Sequence, residues 1–381
     1  MRYLKLYRGL VRLLPHKWDR FSILENRSLS EKSISHFEAV LKRHRASGGA
    51  LAFFDAEGLT DHLAYGEMRP GVKVAKDTAF RLASLSKTVT ASGALALAQM
   101  GLLDLNRDAD LGLPYSLRHP RAKDRPVTLI HLLSHASGIR DGKVYEAGLL
   151  SGAPASRILS GDSHTAHLPG EGCAYSNFAF GLIAPVVEAQ TGLSFQTAMD
   201  KALFSPLQMR AAFYPGLIKS PLADGRRILP PSRTPNFDGL KRQSSLPEDW
   251  DQVDLERHYA LAQGACCSDV EGLVRLGQAL LTPGFFNHDS LEMMRSPHAS
   301  LRNRDPFLTQ GLGLFILNDD SIAPYPLHGH QGMAYGAVQM LYLDLEKQRG
   351  IISLTTGASE ARQYILTDLN RALLKEWIKN D

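Results

Sequence analysis

Ser84 and Lys87 stand three residues apart in the stretch FRLASLSKTVTASGALALAQMGLLDL, which runs from Phe80 to Leu105. A serine at a helix N-terminus meets unpaired N–H groups and the positive end of the helix dipole, both of which favour an alkoxide or oxyanion. A lysine one turn later shares its helix face. The residues beyond it, Val89, Ala91, Ala94, Leu95, Ala96, Leu97 and Ala98, carry no charge and predict burial. Burial disfavours the ammonium form, so the Lys87 pKa should fall, and a lysine neutral part of the time can take a serine proton. Alone the spacing is weak, because surface helices bring Ser and Lys together by chance.

Two later clusters give the pair company: Tyr175, Ser176 and Asn177 in PGEGCAYSNFAFGLIAPVVE, and His330, Gln331 and Gly332 in LHGHQGMAYGAVQML. A Ser-x-x-Lys followed by Tyr-x-Asn and then by Lys- or His-x-Gly, over roughly Leu51 to Gly357, resembles the serine beta-lactamase and penicillin-binding-protein superfamily, specifically its class C beta-lactamase-like branch. The resemblance implies that Ser84 is the acylated nucleophile and that Lys87 shares or relays its proton. Tyr175 would act with Lys87 as general base and acid, its phenol acidified by nearby positive charge. Asn177 would hold Lys87 and a substrate amide. The backbone N–H groups of Ser84 and Met333 would form an oxyanion hole, and Gly332 would keep the strand edge bare for substrate. No metal and no organic cofactor is implied.

One departure bears on substrate. The lactamases and peptidases of this superfamily usually carry lysine where this chain has His330, which is mostly neutral near pH 7 and able to donate a hydrogen bond to a substrate carbonyl. The resemblance to the esterase and D-amino-acid-amidase or aminopeptidase members is therefore closer. The expected activity is hydrolysis of a small ester, amide or peptide-like substrate. The alternatives are a beta-lactamase or DD-peptidase, and a non-catalytic peptide- or cell-wall-binding protein on the same fold.

Other constellations read as packing. GDSH at Gly161 to His164 matches the GDS lipase block only locally, without a late D-x-x-H. His131 and His135 lie four apart on a helix and His328 and His330 alternate on a strand, but no acidic residue joins either pair as metal chemistry would require. Cys173, Cys266 and Cys267 include no C-x-x-C, which leaves reduced thiols. Forty-three Lys and Arg against thirty-nine Asp and Glu give a net charge of +4, too little for a nucleic-acid surface.

The elements that must position these residues follow from periodicity and punctuation. A helix over Ser30 to Arg45 precedes two strands around the turn Asp55 to Gly58; a helix opens at Ser84 and stops at Gly101. Thr128 caps a short helix that Gly138 ends, and Arg140 to Pro169 reads as loop. Helices resume after Tyr175, a long ordered loop covers Tyr214 to His258, and Ser268 with Glu271 forms a capping box. The closing stretch is an antiparallel hairpin and a helix from about Ser359 to Ile378. Strands at both ends with helices between argue for a mixed sheet plus a helical lobe. The resemblance implies an α+β fold: an antiparallel sheet flanked by N- and C-terminal helices plus that mostly helical lobe. The hydrolase domain then spans 29–381, with an α/β lobe at about 29–83 and 300–381 and a helical lobe at about 84–299.

Residues 1–28 form a basic extension. Leu6, Tyr7, Leu10, Val11, Leu13 and Leu14 recur at helical spacing, with Arg2, Lys5, Arg8 and Arg12 on other faces. That pattern suits docking on the body, a partner contact or a membrane surface, and Pro15, which cuts the helix short, favours docking or a partner contact. The segment lacks the apolar core and cleavage site of a secretory signal and no spanning stretch follows, which predicts a cytoplasmic protein.

Overall fold

The computed structural model describes residues 4–14, 20–229, 232–234 and 246–380. Pro15, Arg2 and part of the Tyr214 to His258 loop lie outside the described residues. Among the described residues the main sheet runs, in spatial order, Ser22–Asn26, Leu59–Arg69, Gly48–Asp55, Arg349–Thr356, Ala337–Asp344, Leu327–Ala334, Phe315–Leu317, Leu308–Gln310 and Ala299–Ser300. Each neighbouring pair is antiparallel, so the sheet is not mixed. The two ends of the chain meet in its centre, where Ala52 pairs with Ile352.

Gly48–Asp55 and Ala337–Asp344 are buried almost throughout instead of alternating, because helices cover both faces of the sheet. On one face Phe37 and Leu41 of the helix Glu31–Arg43 join Leu373 and Trp377 of the helix Asp368–Lys379 over Phe53, Tyr342 and Ile351. On the other, Leu273 and Leu276 of Val270–Leu281 and Val89 and Leu95 of Ser86–Gln99 pack with Phe54, Leu341 and Leu343. This is the α+β arrangement that the resemblance implies.

Several local expectations shift. The cap of Val270–Leu281 is Asp269, whose side chain accepts from Gly272 N, while Ser268 pairs in a short strand and gives its hydroxyl to the Arg210 carbonyl. The helix after Thr128 ends at Leu133, because His135 turns left-handed (φ 58°) before Gly138 is reached. Lys143–Ser151 and Ala155–Leu159 are helices inside the segment read as loop; Asp162 caps the first by accepting from Lys143 N and Val144 N. The last helix starts only at Asp368, where Thr367 supplies the cap. The N-terminal helix Leu4–Leu13 docks on the body through Tyr7, Arg8 and Val11. Among the described residues no single helix is long and apolar enough to cross a membrane, and the three cysteines are free.

Candidate active site

The turn that carries Ser84 is shaped from outside. Ser84 sits in a one-turn 3-10 segment, Ala83–Leu85, and the α-helix starts after it, at Ser86. Ala83 is left-handed (φ 50°), a conformation that costs a non-glycine residue on the order of 1 kcal/mol. The strand Leu327–Ala334 lies hard against this turn: a Cβ on Gly332 would come within 1.9 Å of the Leu82 carbonyl and 3.1 Å of Leu85 N. The glycine admits the turn, a role that the sequence did not suggest. Among the described residues the strand's outer edge lacks a partner in the sheet from His330 onward, since pairing with Phe315–Leu317 ends at Gly329.

Lys87 is fully buried. Its Nζ donates to Asn177 Oδ1 at 2.8 Å and to the Gln263 carbonyl at 2.7 Å, and lies 3.3 Å from Ser84 Oγ. Burial lowers its pKa to about 7, against the pull of the Asp141 carboxylate, which raises it. Both oxygens can only accept, so they take the two N–H groups of the neutral amine. Its lone pair is then left for Ser84.

Asn177 is held by a residue that sequence reasoning missed. Asp141 accepts from Asn177 Nδ2 and from Asn177 N, both at 3.1 Å, and from Phe178 N and Ser176 Oγ, both at 2.8 Å. It thereby caps the helix Asn177–Gly181 and turns Asn177 Oδ1 toward Lys87. Tyr175 packs against His135, ring centroids 4.3 Å apart, and Lys87 Nζ lies 5.2 Å from its ring centre. His135 also accepts from Ser176 N with Nδ1, while its carbonyl accepts from Ala174 N. The histidine read as core packing is therefore the clamp on Tyr175. Burial raises the Tyr175 pKa above that of a free phenol, although a hydrogen bond with Ser84 and the charges of Arg362 and Arg304 act the other way. Tyr175 is a neutral phenol at pH 7, which corrects the expected acidified one.

His330 is buried, stacked on Phe315 at 4.2 Å, and its pKa falls to about 3 through burial and the nearby Lys87 charge. Its Nδ1 lies 2.6 Å from the Gln331 carbonyl, which can only accept, so Nδ1 carries the proton. Nε2 is then a bare acceptor without a partner among the described residues, and cannot donate to a carbonyl as expected.

These residues open on one cleft of about 800 Å³, lined by Ser84, Tyr175, Asn177, His330 and Met333, with Arg304 and Arg362 among its other walls. Lys87 lies beneath its floor and Gly332 behind Ser84. Neither arginine belongs to a motif, so no sequence signal marked them. Among the described residues no group of His, Cys, Asp and Glu could hold a metal ion.

A beta-lactamase family model matches residues 34–375. Penicillin-binding protein 4* of Bacillus subtilis (strain 168) is 26% identical over 353 residues, covering 87% of this chain and 73% of its own. Esterase EstB of Burkholderia gladioli is 26% identical over 381 residues, covering 91% and 92%. Among solved structures, that of EstCE1, described as a hydrolase with promiscuous acyltransferase activity, superposes with a TM-score of 0.72 over 91% of this chain and 97% of its own, at 20% identity, a likeness of fold. The match over most of its length and the shared architecture make this chain a member of the beta-lactamase family.

Proposed function

We propose that this chain, a serine hydrolase of the beta-lactamase family, cleaves small ester or amide bonds through an acyl-enzyme on Ser84. The observation that carries this reading is the environment of Lys87: a buried amine with a pKa of about 7, both N–H groups committed, and Ser84 Oγ beside its lone pair. Lys87 takes the serine proton as Oγ attacks the carbonyl carbon. The neutral Tyr175 phenol passes a proton to the leaving group and is restored from Lys87. The backbone N–H groups of Ser84 and Met333 receive the oxyanion, and water releases the acyl group by the same route reversed. The names of relatives such as esterase EstB support ester substrates.

The neutral His330 offers no charge to a substrate carboxylate, which supports substrates without one. A second reading, a penicillin-type enzyme, draws on Arg304 and Arg362: both line the cleft, and neither has an ion-pair partner among the described residues.

A fluorophosphonate label on intact protein tests the nucleophile. Ser84→Ala should abolish labelling and lower turnover by several orders of magnitude while the fold persists. An adduct mapped to Ser86 or Ser176 would overturn the assignment. Neutral p-nitrophenyl esters should be turned over faster than nitrocefin. The reverse ranking, with a selective loss of nitrocefin turnover in Arg304→Ala or Arg362→Ala, would favour the second reading.

A further inference from the structure

The N-terminal helix docks with one face and leaves another uncovered. Arg8 forms a two-pronged ion pair with Asp368, Nε to Oδ2 and Nη2 to Oδ1, each at 2.7 Å. Arg45 donates to the carbonyls of Val11 and Arg12, and the Tyr7 hydroxyl accepts from Glu360 N. Val11 is buried in the contact. With the helix fixed this way, Leu6, Leu10 and Leu13 point off the body and are 60%, 46% and 82% exposed. Their spacing of four and then three residues makes them one stripe.

Basic groups lie to one side of that stripe. Lys5 and Arg12 lie on the same helix, and Arg12 also lines a cavity of about 340 Å³ with Arg43 and Lys375 of the two helices that flank the docked segment. The side chains of Lys5, Arg12, Arg43 and Lys375 have no partner among the described residues. The acidic residue in that cavity, Asp368, is already committed to Arg8.

We propose that this face is a peripheral membrane anchor, in which Leu6, Leu10 and Leu13 enter the acyl boundary of an anionic bilayer while Lys5, Arg12, Arg43 and Lys375 meet its headgroups. Exposed leucines with long cationic side chains beside them, nearer the body, match the two zones of a lipid interface, apolar below and anionic above. A second copy of the chain matches poorly. A two-fold contact through the stripe would bring these cations against their own copies, while Asp368, the acidic residue beside them among the described residues, is held by Arg8.

The test is flotation of the full-length protein with vesicles of phosphatidylcholine alone or of phosphatidylcholine with phosphatidylglycerol, alongside sedimentation velocity. Wild type should float with the anionic vesicles, far less with the neutral ones, and less as salt rises. Replacing Leu6, Leu10 and Leu13 together by Ser should weaken binding by at least about a hundredfold, given what each buried leucine contributes. Arg12→Gln and Arg43→Gln should each weaken it about fivefold. Ester hydrolysis in free solution should not change in the leucine variant, which shows that it folds. Failure of wild type to float with anionic vesicles, equal binding to both vesicle types, or a dimer in sedimentation that the leucine substitutions dissolve would each overturn the proposal, the last by assigning the face to a second copy.

Discussion

The lysine beneath Ser84 works by subtraction. Asn177 Oδ1 and the Gln263 carbonyl take its two N–H groups, and burial keeps the third proton off about half the time at neutral pH. With Lys87 as the proposed base, kcat/KM should rise with pH through a midpoint near 7 and level off above it. Asp141 sharpens the test, because its carboxylate favours the ammonium form. Removing that charge lowers the Lys87 pKa further. In Asp141→Asn the acidic limb of the profile should therefore move to lower pH, even as the plateau falls through a misplaced Asn177. A plateau that falls with the limb unmoved would show that Asp141 acts on structure alone. The same pKa links to stability: the folded state gives up the lysine proton near pH 7 and the unfolded chain holds it to about 10.5, the ordinary lysine value. Between those limits stability should rise with pH, and urea titrations at pH 7 and pH 9 should show the gain in wild type but not in Lys87→Met.

The elements meet where side chains are absent. Gly332 lets the strand Leu327–Ala334 touch the turn that carries Ser84, and a methyl there would overlap the Leu82 carbonyl. That carbonyl belongs to a turn already strained at Ala83, so it has little room to yield. Gly332→Ala should cost roughly 1–3 kcal/mol in denaturant titration, the range for overpacking, and should lower kcat by displacing Ser84. A variant of wild-type stability and kcat would mean that the two elements do not fix each other. Glu188 ties elements differently: its buried carboxylate accepts from Phe195 N at 2.7 Å and Asp254 N at 3.1 Å and lies 2.6 Å from His258 Nδ1. It pins the end of the segment read as a long loop to the helix Ile183–Thr191.

At the scale of the whole molecule, the sheet is the partition between two cores, and the cleft draws its walls from residues beside both. Phe54 joins sheet to helices: a Cβ on Gly277 would come within 2.2 Å of its ring and one on Gly350 within 2.1 Å. The ring fills a slot that two glycines leave open. Phe54→Ala should therefore leave a cavity that neighbours cannot close and cost about 3–5 kcal/mol. Calorimetry would check this, and a loss below about 1 kcal/mol would mean that the helix Val270–Leu281 settles into the gap.

The local chemistry of this protein was legible in its sequence because it rests on local causes. A charge-free run after Lys87 is enough to bury it, Thr128 is enough to cap its helix, and two apolar runs around a charged turn are enough for the final hairpin. The order of the three motifs carried the fold. What the sequence left open depends on groups far apart in the chain. Asp141, His135 and Gln263 gain meaning only when folding brings one carboxylate to the start of another helix, one ring against Tyr175 and one carbonyl to a lysine 176 residues away. The Tyr175 phenol was misjudged for the same reason: its pKa depends on how much water the assembled cleft excludes, and the residues beside it in sequence do not record that. Likewise Nε2 of His330 became an acceptor through a carbonyl hydrogen bond that the strand's geometry imposes, whereas its neutrality needed only a histidine in place of a lysine.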